Sequence, residues 1–312
     1  MHGYLLVKKN DVVFFGDGLE KAPGIKKVDR LKFVGKYLKS SSALEIEDVF
    51  TFAESRYLRS KNSKFRIKIK PVQSPVDKIR TIKESGEIEK IRKSMRIGGR
   101  VFEIVKKELK KKLWTEKALA NFIRNAGLKF GAEEVSFEPI VASGANAAIP
   151  HHVPSNKRLY PGESIILDFG FKTEGYCGDF TRTVFMRKVS KTMEMAYRHT
   201  EAAYIQSLIA ARPGVACRNL YSQAVKILGR AKLDKYFIHN LGHGTGLEIH
   251  ESPNLSPNSR DRLENNMVFS VEPGVYIPKV GGVRIEDLVF LDHDKLHKFV
   301  FASTKLEDNI IR

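Results

Sequence analysis

The sequence predicts an α+β fold, because stretches of helical periodicity alternate with pairs of apolar strand patterns. Two segments carry the clearest hairpin pattern, ESIILDFGFKTEGYCGDFTRTVF at 163–185 and NMVFSVEPGVYIPKVGGVRIEDLVFL at 266–291. In each segment an apolar run reaches a turn and a second apolar run returns from it. Helical patterns precede both hairpins, so the second half reads helix, hairpin, helix, hairpin, which indicates an internal duplication.

The first 75 residues predict a small α/β domain. Residues 4–15, YLLVKKNDVVFF, form two apolar runs around a polar turn, which is the pattern of a hairpin. Apolar residues have helical spacing in LEIEDVFTFAESRYL at 44–58, whereas KFRIKIKPV at 64–72 alternates as a strand does. We place the domain boundary at residues 74–76, where serine and proline open a helical stretch.

Residues 76–312 predict one larger domain. Its first part, up to about residue 113, carries Glu, Lys and Arg at spacings that give i,i+4 support to a helix. Two later helices are predicted at about 190–211 and 218–233.

Composition limits the class of protein. The chain has 312 residues, of which 42% are hydrophobic and 29% charged, an ordinary globular profile. Its two cysteines are too few for a disulfide framework, and no apolar run reaches the roughly 18 residues of a membrane span. We expect a cytoplasmic protein that is not bound to membranes.

The net charge of +18 is concentrated at the front of the chain, where residues 1–112 hold 29 Lys or Arg against 14 Asp or Glu. No RNA-binding signature, helix-turn-helix pattern or interleaved aromatic residues accompany this charge. We interpret it as a solvated lysine-rich surface, with nucleic-acid binding kept as a minor alternative.

Each predicted hairpin carries two carboxylates at equivalent places. Asp168 and Asp179 are centred on the first turn, and Glu272 and Glu286 on the second, so symmetric pairing places each pair across two strands. Like charges there destabilise a sheet, and buried carboxylates need neutralisation. A cation is the simplest answer, and for a single pair the alternative is salt bridging to the arginines at 182 and 284.

Histidine and glycine are concentrated in LGHGTGLEIHESP at 241–253. Glycines let the backbone pass close to a crowded centre beside His243, and imidazole is a common metal ligand. His239 and His250 flank His243, and His151 lies upstream, as groups that handle substrate. Four carboxylates and one imidazole form an oxygen-rich set that suits two ions of manganese, iron, cobalt or zinc.

The motifs PHHVP, LDFG with GDFTRT, GHGTGLEIHESP, VFSVEPGVY and VRIEDLV resemble, in order, those of the pita-bread metallopeptidases. This family includes methionine aminopeptidases, aminopeptidase P and prolidase. The resemblance implies a pita-bread catalytic domain, with Glu272 as the general acid/base, and His250 and His151 as catalytic histidines. It also implies that Asp179 and Glu286 bridge two metal ions, whose full ligand set is Asp168, Asp179, His243, Glu272 and Glu286.

Within the family the Xaa-Pro branch fits best, because of the segment IRTIKESGEIEKIRKS, the spacing of His239 and His243, and the place of Arg284. This branch implies proline-containing peptides as substrates, a homodimer, and Mn²⁺ as the first expectation, with Co²⁺, Zn²⁺ or Fe²⁺ as others. His239 and Arg284 are the predicted substrate-binding residues, although Arg284 could instead brace Glu286 or Asp179. The alternatives are a methionine aminopeptidase and a catalytically silent binding module.

Overall fold

The structure is a computed structural model that divides into two compact units, Met1–Val76 and Asp77–Arg312. It describes residues 4–8, 11–15, 27–29, 34, 36–38, 43–47, 50–61, 68–72, 74–300 and 302–312. No helix within these ranges is both long and apolar enough to cross a bilayer.

The described part of the first unit contains two small sheets and one α-helix. Antiparallel strands β1 (Tyr4–Lys8) and β2 (Asp11–Phe15) are joined by β3 (Lys27–Asp29), which runs parallel to β2. Strands β4 (Ala43–Glu47) and β5 (Lys68–Val72) pair in parallel, and helix α1 spans Phe52–Lys61. These elements share a core of Leu6, Val13, Phe15, Val34, Ile46 and Leu58.

The hairpin predicted at 4–15 is confirmed, whereas the helix predicted at 44–58 is wrong in its first part. Leu44 and Ile46 belong to β4, where side chains alternate between more and less exposed positions and the backbone pairs with β5. Tertiary pairing therefore overrides the helical spacing until α1 begins. The strand predicted at 64–72 is confirmed for β5, and residues 64–67 lie outside the described part of the chain.

In the described residues that follow there are five α-helices: α2 (Pro75–Thr81), α3 (Ser85–Lys111), α4 (Glu116–Lys129), α5 (Lys191–Ala210) and α6 (Cys217–Gly229). The helical stretch predicted from residue 74 is interrupted, because the Lys83 backbone NH donates to the Asn266 carbonyl and leaves the helical pattern. Helix α4, which begins after an N-cap at Thr115, was not predicted. The helices predicted near 190–211 and 218–233 correspond to α5 and α6.

A nine-stranded sheet forms the centre of the second unit. Its main path is β13–β12–β14–β17–β11–β8–β7, with β18 paired to β17 and β19 paired to β11. The strands are β7 (Ile140–Ser143), β8 (Ser164–Phe169), β11 (Phe180–Met186), β12 (Gly242–Gly244), β13 (Glu251–Leu255), β14 (Val268–Val271), β17 (Glu286–Asp292), β18 (Lys295–Lys298) and β19 (Ile310–Ile311). Short strands complete the hairpins and their edges: β6 (Glu134–Val135), β9 (Phe171–Thr173), β10 (Tyr176–Cys177), β15 (Gly274–Ile277) and β16 (Gly281–Arg284).

Helices cover both faces of this sheet. Val184 and Leu288 belong to a hydrophobic cluster with residues of α3 and α4, whereas their chain neighbours Phe185 and Val289 belong to a second cluster with α5 and α6. Successive strand residues point to opposite faces, so the two clusters lie on the two sides of the sheet. The predicted α+β class, with its repeated pattern of helices and hairpins, is confirmed.

The two hairpins differ in register. Val271 pairs with Asp287 and Gly274 with Arg284, so Glu272 lies opposite Glu286, as the symmetric pairing predicts.

The symmetric prediction is wrong for the first hairpin, because Asp168 pairs with Thr181 and not with Asp179. Its turn consists of Glu174 and Gly175, both with positive φ, so the centre of the hairpin lies one residue later than symmetric pairing of Asp168 with Asp179 requires. Asp179 consequently lies two positions from Thr181 and diagonal to Asp168, within reach of the same face.

Candidate active site

One cavity of about 610 Å³ collects the predicted site residues. Its wall is built from the ends of the two hairpins, the histidine-glycine segment and the segment before β8. All nine predicted residues line it: His151, Asp168, Asp179, His239, His243, His250, Glu272, Arg284 and Glu286.

Asp179, His243 and Glu286 form a group of possible metal donors. One ligand atom from each lies within 4.8 Å of the others. His243 Nε2 is 3.5 Å from Asp179 Oδ2 and 3.3 Å from Glu272 Oε1, so a fourth donor adjoins the group. Three carboxylates and one imidazole thus converge on the same space.

Two carboxylate oxygens at this centre are buried with no hydrogen-bond partner among the described residues, Asp168 Oδ1 and Glu286 Oε1. Burial, with repulsion from Glu286 and Asp168, raises the pKa of Asp179 well above its ordinary value. Burial and repulsion from Glu272 and Asp168 do the same to the pKa of Glu286. A divalent cation would relieve both the repulsion and the missing contacts, so the donor set fits metal binding.

Backbone contacts fix His243 in place. Its NH donates to Ser270 Oγ over 3.0 Å, and the glycines on either side pass against neighbouring strands. A Cβ on Gly242 would lie 2.0 Å from the Ser270 carbonyl oxygen, and one on Gly244 would lie 2.0 Å from that of Ser252. The chain therefore needs glycine at both positions to bring this imidazole to the carboxylates.

Glu272 is partly buried beside His243, directly after β14. Ser270 Oγ donates to Glu272 Oε1 over 3.1 Å, and the Glu272 NH donates to the Leu241 carbonyl over 2.8 Å. Burial raises the pKa of Glu272 above its usual range. A carboxyl whose pKa is moved toward neutrality is suited to exchanging protons with a reacting group.

Arg284 is buried, and its hydrogen bonds are made within the site wall. Its guanidinium donates to Asp168 Oδ2 and, over 2.6 Å, to the hydroxyl of Tyr276. It also lies 3.4 Å from Thr181 Oγ1, which donates to Glu286 Oε2 over 2.5 Å. This geometry favours a bracing role for Arg284, toward Asp168 directly and toward Glu286 through Thr181.

Arg182 is the other arginine that could neutralise an acidic pair, but its hydrogen bonds and ion pair go to residues other than Asp168 and Asp179. It is fully buried, pairs with Asp287 over 2.8 Å and donates to the Glu286 backbone carbonyl. The salt-bridge alternative is therefore wrong for Arg182, which holds the backbone of β17 instead.

His239 uses both ring nitrogens within the wall. Nδ1 is 2.7 Å from the Asn240 carbonyl and Nε2 is 2.9 Å from the Tyr276 hydroxyl. Because Arg284 donates to that hydroxyl, the tyrosine proton points to His239 Nε2, and Nδ1 carries the imidazole proton. Burial lowers the pKa of His239 and favours this neutral form.

His250 and His151 are exposed on the pocket wall. The His250 ring stands edge-on to His243, with centroids 4.5 Å apart. Burial, reinforced by the charge of His243, lowers the pKa of His250. Both exposed rings can therefore contact a molecule in the pocket.

Comparison with known proteins identifies the family of this chain. The model of metallopeptidase family M24 matches residues 89–293, a range that holds all nine predicted site residues. The chain belongs to this family.

Several known proteins are similar to this M24 chain over most of its length. An Xaa-Pro dipeptidase of Pyrococcus furiosus is 32% identical over 296 residues, 93% of this chain and 84% of that protein. The solved prolidase from Pyrococcus furiosus is similar with a TM-score of 0.88 and 30% identity, over 96% of this chain and 90% of that one. The X-Pro aminopeptidase from Thermotoga maritima gives 0.83 and 28%, over 97% and 89%. The predicted family and its pita-bread fold are confirmed.

Sequence reasoning missed three residues that shape this M24 site: Thr181, Ser270 and Tyr276. Each places a hydroxyl against a predicted residue, on Glu286, Glu272 and Arg284 respectively. Ser270 and Tyr276 lie two positions before and four after Glu272, so the period of two along the strand offered a signal. Thr181 lies two positions after Asp179, so the same period offered a signal there, and its register with Asp168 places it at the centre.

Proposed function

We propose that this chain is a metal-dependent peptidase that hydrolyses the bond between an N-terminal residue and a following proline. The observation that carries the proposal is the convergence of four carboxylates and one imidazole on one pocket. The names of its relatives, an Xaa-Pro dipeptidase, a prolidase and an X-Pro aminopeptidase, support the substrate class.

We assign two divalent ions to the five acidic and histidine donors: Asp168, Asp179, His243, Glu272 and Glu286 would hold them, with Asp179 and Glu286 as the expected shared ligands. Such ions polarise a carbonyl and make water nucleophilic near neutral pH. Mn²⁺ is the first candidate, with Co²⁺, Zn²⁺ and Fe²⁺ as the others that suit oxygen and imidazole ligands.

Glu272 is the proposed general acid/base. Its carboxyl, held by Ser270, would accept a proton from the attacking water and deliver it to the leaving nitrogen of proline. Its pKa, raised by burial, supports this role, because a carboxylate with a raised pKa is a stronger base toward the proton of water.

His250 and His151 are the proposed substrate-contacting histidines. Their exposed rings can donate hydrogen bonds to the carbonyl oxygen as negative charge develops on it, which favours the transition state. His239 and Arg284 remain predicted substrate-binding residues. Both are hydrogen-bonded to the Tyr276 hydroxyl within the wall, which favours a role in holding that wall in place.

The pocket also has apolar lining that suits a proline ring or an apolar side chain. Phe137, Ile140, Pro150 and Ile249 lie beside the charged centre. Apolar walls with a few placed polar groups are the usual design of a small-ligand site.

Several finer assignments stay predictions. The homodimer and the division near residue 75 derive from the resemblance and the sequence pattern, and the cytoplasmic location derives from composition. A methionine aminopeptidase and a silent binding module remain the alternatives, with nucleic acid as a minor partner class. Light scattering of the purified protein would test the dimer directly.

Hydrolysis of Ala-Pro, Ala-Pro-Pro and Met-Ala-Ser, with Mn²⁺ and with a chelator as control, tests the proposed activity. We expect chelator-sensitive release of alanine from the proline peptides, and their ratio separates dipeptidase from aminopeptidase action. Cleavage of Met-Ala-Ser alone would favour the methionine branch, and no cleavage of any peptide would favour the binding module. Glu272→Gln is the matched control for contaminating peptidases.

A further inference from the structure

The first turn of α4 holds a fully buried carboxylate, Glu116, that lies outside the metal centre. Its two oxygens accept hydrogen bonds from six groups on one segment, residues 143–155. The donors are the backbone NH and hydroxyl of Ser143, the Asn146 amide, the His152 ring, and the backbone NH and hydroxyl of Ser155, at 2.7–3.1 Å.

These bonds keep the carboxylate ionised despite its burial. Burial opposes the charge, but the bonds from Ser155, His152 and Ser143 prevail and lower the pKa of Glu116 to about 2. The start of α4 adds the favourable end of a helix dipole. A buried charge with this many donors fixes the groups that surround it, because each donor would otherwise lack a partner.

Segment 143–155, which donates hydrogen bonds to Glu116, forms part of the pocket wall. Pro150 and His151 line the pocket, and His151 immediately precedes the His152 ring that contacts Glu116. Arg284 Nη1 is 3.4 Å from the Pro150 carbonyl oxygen. A Cβ on Gly282 would lie 1.9 Å from the Ala147 carbonyl oxygen, so the same segment packs tightly against β16.

We propose that Glu116 is a positioning residue, which holds segment 143–155 in the one conformation that sets His151 at the substrate pocket. His151 makes no hydrogen bond of its own among the described residues, so its place depends on the segment that carries it. Glu116 touches neither substrate nor metal donors. The proposal rests on the proposed peptidase function, because the role of His151 is defined by it.

A double-mutant cycle of Glu116→Gln and His151→Ala tests this coupling. Glutamine keeps the size but turns an NH₂ toward donors, so kcat/KM for Ala-Pro should fall about 100-fold, as a small misplacement of a reacting group does. In the His151→Ala background the same change should cost about threefold or less, because coupled residues are not additive. Glu116→Asp keeps the charge and should restore part of the rate.

Asn309→Ala is the control for a merely structural effect. Asn309 is buried and donates to Tyr197, Ser303 and Lys305, none of which belongs to the segment. This variant should lower Tm while leaving kcat/KM unchanged. Equal losses for Glu116→Gln in both His151 backgrounds would overturn the proposal. If Glu116→Gln does not fold, Ser155→Ala in the same cycle decides it, with a smaller loss that must likewise vanish without His151.

Hydrogen exchange separates this proposal from the proposed function. Glu116→Gln should speed exchange at the hydrogen-bonded amides of the segment, Ile149, His152 and Ser155, while α5 and α6 keep wild-type rates. Unchanged exchange at His152, the amide next to His151, would refute the positioning role even in an active enzyme. An inactive wild type with faster exchange at His152 in the variant would refute the peptidase assignment and leave the anchoring by Glu116 supported.

Discussion

Replacing Tyr276 by phenylalanine isolates one hydroxyl at the wall of the metal centre. The Tyr276 hydroxyl accepts from Arg284 over 2.6 Å and lies 2.9 Å from His239 Nε2. The phenylalanine ring would occupy the same buried space, so the change removes two hydrogen bonds without creating a cavity. Arg284 would keep its contact with Asp168 but lose the bond to the tyrosine hydroxyl, which is one of those that orient its guanidinium.

The magnitude of this change follows from the two bonds. A hydrogen bond to a charged group contributes about 1.5–3 kcal/mol and a neutral one about 0.5–1.5 kcal/mol, so their loss should lower the free energy of unfolding by about 2–4.5 kcal/mol. For a unit of this size that corresponds to a fall in Tm of about 4–18 °C. Loosening a partner of a metal ligand should also lower metal affinity or kcat/KM by about 10- to 100-fold.

Urea unfolding, metal titration and peptide hydrolysis would measure these effects. Tyr160→Phe, at a half-exposed position away from the metal centre, is the matched control and should change none of them. If Tyr276→Phe unfolds within about 0.5 kcal/mol of wild type and keeps its metal affinity, the hydroxyl does not bridge Arg284 and His239, and the argument for a braced Asp168 fails.

Three further outcomes are expected. Glu272→Gln should keep the Tm while lowering kcat by about 10²- to 10⁴-fold, and substantial residual turnover would contradict the acid/base role. Asp179→Asn should lose metal by elemental analysis, whereas two retained ions would show that Asp179 does not bridge. The stability gap between wild type and Glu116→Gln should be largest above pH 4.5 and shrink as pH falls toward about 2, because a lowered folded pKa stabilises only while the unfolded carboxyl would be ionised. Urea unfolding at three pH values checks this, and a gap independent of pH would count against it.

The chemistry of the site could be predicted because its carboxylates are spaced symmetrically about the hairpin turns in the sequence. The centre between Glu272 and Glu286 coincides with the turn of their hairpin, so counting alone placed them opposite each other. The same count failed for Asp168 and Asp179, because a two-residue turn with positive φ at Glu174 shifted the register. Turn geometry decides the register of the strands, and the residue types of Glu174 and Gly175 do not specify the turn by themselves.

Other features depended on partners far along the chain. The helical stretch from residue 74 breaks where Lys83 meets Asn266, and β4 exists because β5 lies beside it. Glu116 resembles any charged residue in the first turn of a helix until segment 143–155 folds over it. Periodicity describes local preference, and it carries no information on which distant backbone will claim a residue.

The glycines beside His243 limit how this protein could be re-engineered. Positions 242 and 244 accept no side chain without displacing a strand, so a library for directed evolution should leave both invariant. Leu247 and Glu248 lie within four residues of Gly244, and both are exposed. Glu248 also lines the pocket. Diversity placed there can alter which peptides enter while the imidazole stays where the backbone holds it.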